Sequence, residues 1–110
     1  MNTTVALMML SLVAAIASTL RHEVGTPAAD RAHRALTATI ADAGDLERAA
    51  PVCLALADAL EELADALDVP AMGVSQARHA TTARGRRAAQ YRAHVRNLRA
   101  ITARPSEAQR

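Results

Sequence analysis

The chain has no phenylalanine, no tryptophan and a single tyrosine, Tyr91. It has no lysine, so all 13 of its basic side chains are arginine, and its one cysteine is Cys53. Each shortage excludes something. Without aromatics, stacking on unpaired bases has no platform apart from Tyr91. Few aromatics and few alternating β-branched residues argue against a sheet. One cysteine rules out an intrachain disulfide and a multi-thiolate metal site. The lone thiol reads as a buried structural side chain, because free cysteine is among the most buried residue types. A glycine-rich phosphate loop is also missing, since Gly85-Arg86-Arg87 is one glycine before two arginines. The lysine-free composition carries the mark of a GC-rich genome. That weakens any argument that arginine was selected for bidentate phosphate contacts.

What is abundant is alanine, at 28 of 110 positions. Alanine is the best helix former and a small core filler, so composition predicts closely packed helices. The length allows one domain. Charge is split by position. Residues 1–70 carry four arginines against ten carboxylates, a formal −6, whereas residues 71–110 carry nine arginines against Glu107 alone, a formal +8. A chain polarised in this way folds its basic part onto its acidic part or offers it to an anionic partner.

The apolar pattern predicts an all-α fold, a four-helix up-and-down bundle with short loops and a basic C-terminal helix. The helices are expected at about 2–23, 27–43, 46–68 and 76–103, a single domain over 1–103, with 104–110 a flexible tail. Thr26 and Pro27 form an N-cap and first helical residue, and Gly44 reads as a C′ terminator. The second helix has an inward stripe of Ala29, Ala32, Leu36, Ile40 and Ala43. Asp45 caps the third helix, with Pro51 predicting a short turn before the main run from Pro51 to Asp68. Cys53, Leu56, Leu60, Leu63 and Leu67 make a heptad seam there, opposite Asp58, Glu61, Glu62, Asp65 and Asp68. Ser75 caps the last helix, whose inner face is Tyr91, Val95, Leu98 and Thr102, extended backwards by Ala88 and Ala80. Gly85 marks a kink or an interruption.

From Val5 to Leu20 the only polar residues are Ser11, Ser18 and Thr19. A secretory signal would start with basic residues, which residues 1–4 lack. A transmembrane helix through residues 3–20 is borderline in length. Thr4, Ser11 and Ser18 recur every seven residues, and the rest of the circumference is apolar, so the helix must be surrounded. Three neighbours in so short a chain leave part of it bare. Self-association, as a homodimer, is therefore the expectation, with Val5, Met9, Leu12, Val13, Ile16 and Leu20 as the candidate contact residues.

No metal or cofactor is expected. His22, His33, His79 and His94 fit no Glu-x-x-His or His-Glu-x-x-His spacing and read as surface or core-edge imidazoles. The carboxylates of the third helix form a row, without the opposed geometry that paired-acid catalysis needs. The sequence is read as non-enzymatic, a helical interaction or assembly protein of the cytoplasm. One alternative is a nucleic-acid-binding module using Arg84, Arg86, Arg87, Arg92, Arg96 and Arg99. The other is a membrane-anchored protein whose first helix is a transmembrane or membrane-surface segment, associated with the inner membrane and with the C-terminal domain in the cytoplasm. Against the nucleic-acid reading stands internal neutralisation, the arginine stripe facing the acidic row of the third helix.

Overall fold

Capping side chains set where the helices begin. The computed structural model describes residues 3–103, all of whose regular structure is helical: α1 (Thr3–Leu20), α2 (Pro27–Ala41), α3 (Leu46–Leu67), α4 (Gln76–His79) and α5 (Ala83–Ala103). The Thr26 hydroxyl accepts from the Ala29 N–H at 3.1 Å, with Pro27 at the first helical position. Asp45 accepts from the Arg48 N–H at 3.4 Å and Ser75 from the Arg78 N–H at 3.1 Å. Each cap satisfies a donor that the first turn leaves free. The expected helical start at Asn2 and the expected tail at 104–110 lie outside the described residues.

Three boundaries differ from the sequence reading. The first helix stops at Leu20, three residues before the expected Glu23. Gly25 then turns the chain at φ +90, a conformation that side-chain-bearing residues rarely adopt. The second ends at Ala41 on an Asp42 cap, so Gly44 lies in the following turn and its φ is not positive. Pro51 sits inside α3 instead of starting it. Its missing N–H frees only the Glu47 carbonyl, and Pro51 and Glu47 both lie on the exposed side, where water can satisfy that group.

The largest difference is at the last helix. The expected helix 76–103 is two helices. Thr82 starts the second: its hydroxyl accepts from the Gly85 N–H at 3.1 Å, and its carbonyl accepts from Arg86 at 2.9 Å. Gly85 is not a kink. A methyl group there would strike the His79 carbonyl and come within 2.8 Å of the Ala80 Cα, so glycine lets α4 lie directly on the first turn of α5.

Side-chain contacts show that α1 and α3 each run antiparallel to α5. On α1 and α5, Thr19 meets Tyr91, whereas Leu7 and Ser11 face Ala100 and Ile101. On α3 and α5, Asp68 meets Arg92, whereas Asp58 meets Arg99. α2 packs on α3 with Arg31 against Glu62. α1 in turn rests on α2 and α5, and α3 on α2 and α5.

The core lies between these four. The α3 seam of Cys53, Leu56, Leu60, Leu63 and Leu67 is buried along its whole length. α1 contributes Met9, Val13, Ile16 and Leu20, and α5 contributes Ala88, Tyr91, Val95, Leu98 and Ile101. The α2 stripe deviates at one place: Ile40 is 54% exposed, and Thr39 is fully buried instead. The Thr39 hydroxyl donates to the Ala35 carbonyl at 2.8 Å, which makes its burial affordable.

Candidate functional site

The arginines of α5 divide into those held by carboxylates and those left over. Arg92 lies 2.8 Å from Asp65 and 3.4 Å from Asp68. Arg99 bridges Asp58 at 3.4 Å and Glu61 at 3.3 Å, and these two carboxylates push its pKa up further. The basic helix and the acidic row of α3 thus face each other, as the antiparallel packing requires. These pairs are exposed, so they set register and orientation more than they stabilise. Arg92 also has a buried Nη1 with no hydrogen-bond partner among the described residues, a donor whose desolvation offsets part of its gain. Glu62 departs from the expected set, pairing with Arg31 of α2 at 2.5 Å.

Arg87 is held differently. Its Nε donates to Glu23 Oε1 at 2.6 Å, and the Glu23 side chain is only 8% exposed. Around this pair is a small buried polar cluster joining the end of α1 to α5. The Tyr91 hydroxyl donates to the Thr19 carbonyl at 3.0 Å. The Thr19 hydroxyl donates to the Ala15 carbonyl at 3.0 Å and receives His94 Nε2 at 3.4 Å. Burial and the adjacent Glu23 charge push the Tyr91 pKa well above its usual value, with Arg87 opposing. Burial also lowers the pKa of His94. No signal in the sequence marked Thr19, Glu23 and Tyr91 as partners. The apolar pattern runs through Glu23 as helix, and only the turn after Leu20 brings Glu23 to Arg87.

Of the six arginine candidates, Arg87, Arg92 and Arg99 are therefore occupied within the chain. Arg84 reaches the Ala66 carbonyl at 3.4 Å, and Arg86 and Arg96 make no ion pair among the described residues. His79 is also accounted for: Nε2 donates to the Leu67 carbonyl at 3.0 Å, closing the C-terminus of α3. His22 and His33 are exposed. Among the described residues no three His, Cys, Asp or Glu side chains come together as a metal site. Cys53 is buried against Thr39, and burial raises its thiol pKa. That environment blunts nucleophilicity.

The candidate contact residues of α1 separate in the same way. Met9, Val13, Ile16 and Leu20 belong to the chain's own core, and Val5 and Leu12 pack against it. The sequence pattern could not assign them, because it shows an apolar circumference without showing which side the neighbouring helices cover. What α1 turns outward is the stripe of Thr4, Ser11 and Ser18, all exposed. Leu7, 60% exposed, and Leu10, 41% exposed, flank the stripe along with Ala14 and Ala15. Beside it a shallow groove of about 440 Å³ runs between α1 and α5, lined by Leu7, Ser11 and Leu12 on one side and Asn97, Ala100 and Ile101 on the other. Among the described residues no helix is long and apolar enough to cross a membrane. Compared with known proteins, the chain matches no family model, no curated protein and no solved structure.

Proposed function

We propose that this chain is a small non-enzymatic assembly protein, a four-helix up-and-down bundle completed by the short α4, that pairs with a second copy through the outward face of α1. One observation carries the reading: the outward face of α1 is neutral, and the hydroxyl line along it repeats every seven residues. Thr4, Ser11 and Ser18 form its centre line, and Leu7–Ala14 and Met8–Ala15 follow with the same period. A seven-residue repeat keeps one stripe against a partner helix over several turns. Small residues along the line allow close approach. The chain has no charged residue before Arg21, so two identical faces meet without like-charge repulsion. The arginine and acidic rows, by contrast, are directed at one another within the chain. The α1 face carries no charge and lies apart from those rows.

The occupant is thus a second α1, with Leu7 seated in the adjoining groove beside Ile101. Ser11 lies at the middle of α1, close to the two-fold axis for parallel or antiparallel pairing. Ser11→Cys should therefore form an intermolecular disulfide under mild oxidation, while Ala77→Cys on the exposed side of α4 should not. Equal cross-linking at both positions would count against a specific α1 face.

A further inference from the structure

We infer that the end of the molecule formed by the α1–α2 and α3–α4 loops is a docking surface for anionic lipid. Antiparallel packing brings both loops to the same end. The start of α5 lies between them, with Arg87 bonded to Glu23 on one side and Arg84 reaching Ala66 on the other. Three of the most exposed large apolar side chains of the chain are in these loops: Val24 at 84%, Val69 at 63% and Met72 at 102% relative exposure. They have no core to join. Gly25 at φ +90 and Gly73 at φ +83 turn the chain sharply beside Val24 and Met72, holding each at a loop tip.

Around these tips stand Arg21, Arg78, Arg84 and Arg86, none of which has a carboxylate partner among the described residues. The acids at this end are largely used internally: Glu23 by Arg87, and Asp68 by Arg92, His79 and Gln76. Asp30 is the one carboxylate there without an ion pair among the described residues. The α2–α3 turn at the opposite end is acidic, with Asp42, Asp45 and Glu47 against Arg48.

Apolar tips ringed by unpaired arginines match a bilayer surface in both respects. The tips enter the headgroup–acyl boundary and the guanidinium groups meet anionic headgroups. A nucleic acid would use the arginines but leave Val24, Val69 and Met72 in water. It would also find no aromatic to stack on, since Tyr91 is fully buried. The surface is separate from the α1 face, so it stands or falls apart from the pairing proposed above.

The test is co-sedimentation of the full chain with vesicles of phosphatidylcholine alone or mixed with phosphatidylglycerol. Wild type should partition onto the mixed vesicles and not onto the neutral ones. Each arginine near an anionic surface contributes about a fivefold factor. The triple variant Arg21→Ala, Arg78→Ala, Arg86→Ala should accordingly lose on the order of a hundredfold. Met72→Asp and Val24→Asp, at exposed loop tips, should weaken binding with an unchanged circular dichroism spectrum. Leu7→Asp should bind vesicles like wild type. Absence of partition, or equal partition onto neutral vesicles, would overturn the inference. So would insensitivity to Met72→Asp and Val24→Asp together with displacement by duplex DNA or inorganic phosphate, an outcome that assigns the arginines to phosphate alone.

Discussion

Arg87 Nε lies 2.6 Å from Glu23 Oε1, and this ion pair fastens the chain just after α1 to the second turn of α5. Removing one partner leaves the other charge with little water. Arg87→Ala should destabilise the fold by about 2–3 kcal/mol, below the range for fully buried pairs because Arg87 retains some exposure. Combining it with Glu23→Ala should restore part of that loss, because no uncompensated charge is left. Urea denaturation of the two single variants and the double variant provides the check. Fully additive losses would mean the two residues do not act as a pair.

Tyr91 is the only tyrosine, so its ionisation can be followed directly by tyrosinate absorbance. Burial, and then the neighbouring Glu23 charge, raise its pKa in the folded state. The unfolded chain ionises near the ordinary value of about 10 and binds fewer protons above it. Stability should therefore be intact below pH ~10 and decline above it. Absorbance should change together with loss of helix. Tyr91→Phe should be less stable at neutral pH, having lost the bond to Thr19, but should lack the alkaline decline assigned to this group.

His94 gives the opposite dependence. Burial lowers its folded pKa, so the unfolded state takes up a proton first. Its contribution to stability is present above pH ~6.5 and is lost as pH falls through the folded value. His94→Gln should flatten this part of the stability–pH curve between pH 7 and 5, whatever its effect at neutral pH. An unchanged slope would show that His94 binds its proton equally in the folded and unfolded states.

On α3, Leu60→Ala should cost about 2–5 kcal/mol, because Leu60 is fully buried in the seam. Glu61→Ala should cost less than about 1 kcal/mol, since its contacts to Arg99 are exposed. Comparable small effects would mean that the seam is not the core.

The seam was legible because Cys53, Leu56, Leu60, Leu63 and Leu67 recur at spacings of three and four over about four turns, and the core has to lie along that line. The acidic row of α3 was legible as a partner for Arg92 and Arg99 for a related reason: two adjacent antiparallel helices of opposite charge face each other. Local chemistry was harder to rank. Thr82 and Gly85 could be a cap and a close approach, or two weak residues inside one long helix. The fold decides between these, because the His79 carbonyl and the Ala80 Cα lie directly against Gly85. Ile40 and Thr39 exchanged places because a threonine that bonds its own helix can be buried at little cost. On α1 the seven-residue hydroxyl stripe was visible, but an apolar circumference does not say which side its neighbours take. The core claimed Met9, Val13, Ile16 and Leu20, and the stripe faced outward.

Pairing through that outward face is tested most directly by the molar mass of the full chain in detergent-free buffer at micromolar concentration, measured by light scattering. The account predicts twice the chain mass of 11.6 kDa for the wild type. It predicts the single chain mass, with unchanged helix content, for Leu7→Asp, because Leu7 is on the exposed face and outside the core. A wild type that remains monomeric, or a Leu7→Asp variant that remains dimeric, would contradict it.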